Sequence, residues 1–314
     1  MVRIILISLV TTSAAVAVAS CGSDDEGSGE GPNVVATTGI AADVAAAVAG
    51  SQAEVEQIVP DSASPHDFQL SVDDRQTLEE ADLVVSIGSG LEPGIPLDEL
   101  DASQWALTEN AGELLPFEEA GAHKEEHAEE GDEHAEEEEH GAGDPHVWMD
   151  PTRVYAALPS LADALADVDS THADAYRENA RRYRRELRAL GAELERTLAR
   201  VPPADRELVT SHDSLGYFAE RFGFEVVATA FPATGPEAEV SAADLREVTD
   251  AVQAAGVPAI FAQSDDDPKA LRLVADEAEV EIEEDLIVES PAAAGSYEEM
   301  LRRDAELIAG RLTP

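Results

Sequence analysis

The stretch GDPHVWMDP, residues 143–151, decides how this chain is read. Immediately before it runs HKEEHAEEGDEHAEEEEH, residues 123–140, rich in acid and holding four histidines. Immediately after it, TRVYAALPSLADALADVD (152–169) repeats its apolar residues at helical spacing. His146 therefore either closes a solvated acidic run or opens a segment of fold. The acidic run repels itself and has no apolar face to bury, so residues 113–142 read as a disordered insertion. His146 is different: it stands between Pro145 and Pro151, beside Trp148 and Met149, in apolar company. It reads as the point where the fold resumes.

The rest of the chain sets the frame around this point. At 314 residues it exceeds what one core usually fills, so two lobes are expected. Its 67 acidic and 20 basic residues give a formal net charge of -47. Such a field repels phosphate backbones, which argues against nucleic acid as a partner, and it attracts cations. Only Lys124 and Lys269 are lysines, a bias compatible with a saline habitat. The single cysteine, Cys21, ends MVRIILISLVTTSAAVAVASC, a basic residue followed by an apolar run and small residues. This reads as a signal peptide over 1–20 with a lipobox, leaving Cys21 to carry lipid. Residues 21–33, rich in Gly, Ser and acid, read as a flexible tether. One cysteine excludes a disulfide scaffold. The protein is expected outside the cytoplasm, lipid-anchored to the outer face of the cytoplasmic membrane, and monomeric.

From Val34 onward strands and helices alternate. NVVATTG, AEVEQIVP and ADLVVSIGSG read as strands, with helices in IAADVAAAVAG and after Ser71. ELVTS, FEVVATAF, VPAIFAQ and LIVES read as a second set of strands, with Ser241 capping one helix and Pro268 opening another. Between the sets, 173–201 reads as one long helix with Tyr176, Tyr183, Leu187, Leu190, Leu194 and Leu198 on one face. The fold class is α/β: two similar lobes with parallel sheets, 34–172 and 202–314, joined by that helix. Ligands of such folds are met in a cleft at the carboxyl ends of the strands.

Of eight histidines, four (His123, His127, His134, His140) lie in the insertion, and His172 opens the long helix with no partner in sight. The remaining three share a setting. His66 (SPHDFQLS), His146 (DPHVWMDP) and His212 (TSHDSLGYF) each sit in a loop leading into a helix. Asp67 and Asp213 follow two of them and Asp150 lies four past the third, as acids able to orient a ligating imidazole. Three neutral imidazoles converging would make a borderline-soft site suited to Zn2+.

VVATTGIAADVAAAVAG, PHDFQLSVDD, ADLVVSIGSGLEP, DPHVWMDP, SHDSLGYFAERFG and SYEEML together resemble the ZnuA/TroA-type metal-binding components of ABC importers for zinc and manganese. DPHVWMDP after a His- and acid-rich insertion resembles the zinc branch most. The resemblance spans Val34 to the C-terminus and implies a metal site in the interlobe cleft, with a rigid linking helix. It implies His66, His146 and His212 as ligands; manganese-type members tend to have Glu at the third place. Many members add an Asp as fourth ligand. Here Glu289 in LIVES takes that place, with Asp285 in reserve and water as a third possibility.

The resemblance also implies a role: capture of Zn2+, or Mn2+, and delivery to an ABC permease with its ATPase, without catalysis. The insertion histidines are either low-affinity accessory metal ligands or part of a solvated spacer. A metal-linked adhesin fits the same residues. A secreted zinc hydrolase fits less well, for the chain contains no HExxH motif and a fourth carboxylate would close the open position catalysis needs.

Overall fold

Parallel strand pairing organises the chain into two sheets of the same design. The computed structural model describes residues 31–116, 143–230, 242–263 and 268–313. The first sheet contains β1 (Val34–Ala36), β2 (Val55–Gln57), β3 (Leu83–Ser86) and β4 (Ser103–Ala106) in the order β2-β1-β3-β4. The second contains β5 (Glu207–Thr210), β6 (Glu225–Thr229), β7 (Ala259–Gln263) and β8 (Glu281–Leu286) in the order β6-β5-β7-β8. Every pair is parallel, and the strand order repeats. The central strands β3 and β7 are buried along their whole length, as parallel strands covered on both faces must be.

Two edge strands depart from the sequence reading. The second sheet ends in EIEEDL, 281–286, not in LIVES. An edge strand covers one face and tolerates charge on the other, so the acids of β8 hide its signal. Leu286, Ile287 and Val288 are buried instead as the chain leaves the strand. β4, at the other edge, gave no clear alternation either.

The helices follow their caps. α1 (Gly39–Ala49) starts where Thr38 accepts the Ala41 N–H and stops at Gly50, whose φ of +63° suits glycine. α2 (Val72–Glu79) opens with a reciprocal capping box between Ser71 and Asp74. After the short α3 (Leu107–Asn110), α4 (Pro151–Val168) has Asp150 as cap and Pro151 in its first turn. α5 (Ala173–Leu198) is the long connecting helix, and the stripe from Tyr176 to Leu198 is buried as its spacing predicted. α6 (Gly216–Phe222), α7 (Ala242–Ala255), α8 (Pro268–Ala278) and α9 (Tyr297–Leu312) complete the second lobe. Ser241 lies outside the described residues.

α4 and α9 pack along α5, and one apolar cluster runs without a break from Val34 through α4 and α5 to Phe218 and Tyr297. Two smaller clusters cover the outer faces of the sheets. The lobes therefore share a core at the connecting helix. His172 does have a partner: its Nδ1 lies 2.5 Å from Asp169 Oδ2, which also accepts from Tyr176 Oη at 2.7 Å. This clasp ties the α4–α5 junction. Among the described residues no helix is long and apolar enough to cross a membrane.

Candidate metal centre

Three loops carry three imidazoles to one place. The rings of His66, His146 and His212 have centroids 5.3–5.7 Å apart. Each offers a nitrogen within 4.8 Å of the others. The Nε2 atoms of His66 and His212 are buried and make no hydrogen bond. Such orphaned acceptors in a dry setting are costly unless something completes them. A divalent cation with nitrogen ligands at about 2.0–2.1 Å fits that need after a small inward movement of the rings.

Each loop is pinned by its own local chemistry. His66 leaves β2 through Pro65, and its loop is held at Phe68 by a close backbone approach to Gly94, where a Cβ would stand 1.9 Å from Phe68 O. Buried Glu92 accepts from Thr37 Oγ1 (2.6 Å), Ile87 N (2.9 Å) and Gly88 N (3.2 Å), tying together the ends of β1 and β3. Burial raises its pKa despite those donors. His212 lies two residues beyond β5, where Ser211 N donates to Phe261 O and Ser211 Oγ accepts from Gln263 N.

His146 is fully buried, and its Nδ1 sits 2.8 Å from Oδ1 of Asp144, a residue only 4% exposed. The same oxygen accepts the His146 backbone N–H at 2.9 Å. Asp144 is held in turn: its carbonyl accepts from Tyr217 Oη at 2.8 Å, and its N–H donates to Leu115 O. With Nδ1 engaged, Nε2 is the nitrogen left to face the cluster. Asp150, anticipated for this orienting role, is spent elsewhere: it accepts from Thr152 N and Oγ1 as the cap of α4. Asp67 is exposed to solvent. The orienting acid lies two residues before the histidine, and its signal was the Asp-Pro-His spacing of the opening stretch itself.

Of the two acids read as fourth-position candidates, the structure brings Glu289 beside His66. Its Oε1 is 3.5 Å from His66 Nε2. Asp285 lies on the exposed side of β8. The Glu289 segment is braced across the lobes, because Trp148 Nε1 donates to Val288 O at 2.9 Å and Tyr297 Oη donates to Trp148 O. Ile287 N donates to buried Asp304. Trp148 also packs on His146, with ring centroids 5.2 Å apart, so one side chain meets both His146 and the segment that carries Glu289. His123, His127, His134, His140 and Cys21 lie outside the described residues.

The electrostatics favour neutral rings. Burial, followed by the proximity of His146, lowers His66 to about 4. Burial, followed by His146 and His66, lowers His212 to about 2. Neutral imidazole is the form that ligates a metal.

Residues 34–310 match the family described as zinc-uptake complex component A, periplasmic. Among curated proteins, the chain is 25% identical over 318 residues to the manganese-binding lipoprotein MntA of Halalkalibacterium halodurans, covering 98% of both. It is 28% identical over 307 residues to the high-affinity zinc uptake system protein ZnuA of Paracoccus denitrificans, covering 89% of this chain and 91% of that one. Among solved structures, the periplasmic zinc-binding protein TroA from Treponema pallidum superposes with a TM-score of 0.76 at 24% identity, over 90% of this chain and 100% of that one. A Mn-bound periplasmic metal-binding protein from Candidatus Liberibacter asiaticus superposes with a TM-score of 0.71 at 22% identity, over 89% and 98%. At these identities the structural likenesses speak to the fold.

Proposed function

The chain belongs to the zinc-uptake complex component A family, and from that premise we propose that it captures Zn2+ with His66, His146, His212 and Glu289 and hands it to an ABC permease driven by its ATPase. It is a metal-binding component of a transporter, not an enzyme. The observation that carries the reading is the convergence of three imidazoles from three separate loops, two of them buried and His66 half-buried. Nothing else in the described fold requires His66 and His212 to bury unbonded ring nitrogens against each other.

Zinc is preferred on chemical grounds. Three imidazole nitrogens make a borderline-soft donor set, whereas carboxylate and water suit Mn2+. The manganese reading keeps one specific support, the naming of relatives such as MntA for that metal. Glu289 would serve either ion. The protein acts by binding alone: ligands that are neutral and oriented beforehand lower the cost of assembling the site. Its place is the outer face of the cytoplasmic membrane, held by lipid on Cys21, as the lipoprotein names of several relatives support. The insertion histidines act at most as accessory collectors.

Calorimetric titration of the metal-free chain with Zn2+ and with Mn2+ tests the reading. One tight zinc per chain is expected, with manganese weaker and displaced by zinc. Unchanged zinc affinity in His146→Ala would sink the site assignment. Tighter manganese than zinc would leave the site standing and move the cargo to manganese.

A further inference from the structure

The donors are not equally accessible. His146 is fully buried and His212 is 7% exposed, while the side chains of His66 and Glu289 keep 12% and 9% of their surface open. Glu289 lines a cavity of about 240 Å³. Residues 61–63, after β2, form one wall; residues 287–290 with Ala292 and Ala293, after β8, form the other. Glu289 thus lines the cavity while its Oε1 stands 3.5 Å from His66 Nε2. A space of this size has room for several waters and for a divalent ion that keeps part of its hydration shell. Ala63, Ala292 and Ala293 leave that space unfilled.

Asp61 stands at this mouth with its residue surface exposed. Its Oδ1 accepts from Ser290 Oγ at 2.8 Å, across the two walls, and from Gln57 Nε2 at 3.0 Å on its own side. The Asp61–Ser290 bond links residues 229 positions apart, and Ser290 is the immediate neighbour of Glu289. The walls meet closely here. A Cβ on Gly39, at the start of α1, would lie 3.1 Å from Asp61 Oδ1, 3.1 Å from Pro291 Cδ and 3.3 Å from Ser290 Oγ.

We propose that the cation exchanges with solvent through this cavity, and that Asp61 sets the rate of the crossing in two separable ways. Its charge draws the hydrated cation into the mouth, and its bond to Ser290 ties the walls together behind the bound ion. Asp61 is a positioning residue and not a ligand. The inference rests on the metal-capture reading above.

Two substitutions separate the two actions. Asp61→Asn removes the charge and keeps an acceptor oxygen for Ser290. Ser290→Ala keeps the charge and cuts the tie. Stopped-flow mixing of the full chain with Zn2+ and a fluorescent chelator measures both directions of exchange. For Asp61→Asn, association slows about threefold at low ionic strength, and the gap narrows as salt is added. For Ser290→Ala, dissociation speeds up about threefold to tenfold, the kinetic equivalent of one net hydrogen bond. The absorption spectrum of bound Co2+ stays that of the parent in both, which separates an effect on passage from a disturbed donor set. Exchange at the parent's rates in both variants overturns the proposal, and so does a slowing in Asp61→Asn that salt leaves unchanged. Failure of the parent chain itself to bind Co2+ or Zn2+ would instead overturn the metal-capture reading.

Discussion

Asp144 Oδ1 lies 2.8 Å from Nδ1 of His146, inside a pocket where neither side chain meets appreciable solvent. The carboxylate fixes the ring's orientation and directs Nε2 at the cluster. An acid in this role raises the basicity of the ligand it holds, and its loss from other metal sites costs on the order of 10–100-fold in affinity. Asp144→Ala is expected to weaken zinc binding by that order in a chelator competition, with the fold intact by circular dichroism. Unchanged affinity would show that the loop alone orients His146.

Glu289 and Asp285 make opposite predictions. Glu289→Gln is expected to lower zinc affinity about tenfold or more, on the order of 1.4 kcal/mol, because a charged donor beside His66 is lost. Asp285→Asn, on the exposed side of β8, should leave affinity at the parent value. Calorimetry on the two variants side by side decides it, and the reverse order would return the role to Asp285.

The pH behaviour of the metal-free chain follows from the depressed imidazoles. In the unfolded chain His66 and His212 titrate near the ordinary value of about 6.5. In the folded chain burial holds them at about 4 and about 2. Below pH 6.5 the unfolded state takes up protons that the folded state refuses, so stability is full above that pH and is lost as pH falls toward 4. The thermal midpoint of metal-free protein should therefore drop between pH 7 and pH 5, and His212→Gln should flatten the drop. A midpoint as pH-dependent in His212→Gln as in the parent would remove this histidine from the account.

Trp148→Phe keeps most of the buried ring and removes the donor to Val288 O. A buried carbonyl left unpaired costs about 1–3 kcal/mol. Urea unfolding should detect that loss, and zinc affinity should fall with it, because Val288 precedes Glu289. A loss of stability with unchanged affinity would mean that the brace serves the fold alone.

Removal of residues 119–141 tests the insertion. The described donors come from elsewhere, so one tight zinc per chain should remain. A fall in the total number of zinc ions bound, by mass spectrometry under native conditions, would assign the insertion a collecting role; an unchanged count would leave it a spacer.

Much of this is legible in the sequence. Strand–helix alternation predicted parallel α/β lobes, and the leucine and tyrosine stripe from Tyr176 to Leu198 predicted the buried face of α5. Ser71 and Gly50 marked helix ends because capping chemistry is local. β8 was misplaced because an edge strand needs no continuous apolar signal. Asp144 and Asp150 both lie within four residues of His146, and only packing makes the first a ring partner and the second a helix cap.

Residue order along the chain is enough to single out the candidates: three histidines in loops entering helices, one of them restarting the fold after an acidic run, and an acid, Glu289, in the last stretch read as a strand. Those are properties of residue type and short-range pattern. Only the packed fold sets the three rings 5.3–5.7 Å apart, brings Glu289 beside His66 while Asp285 stays exposed, and lets Trp148 and Asp61 bridge to the segment around Glu289. These contacts join positions up to 229 residues apart. Distances of that kind are set by how two sheets pack around α5, and no local pattern along the chain encodes them.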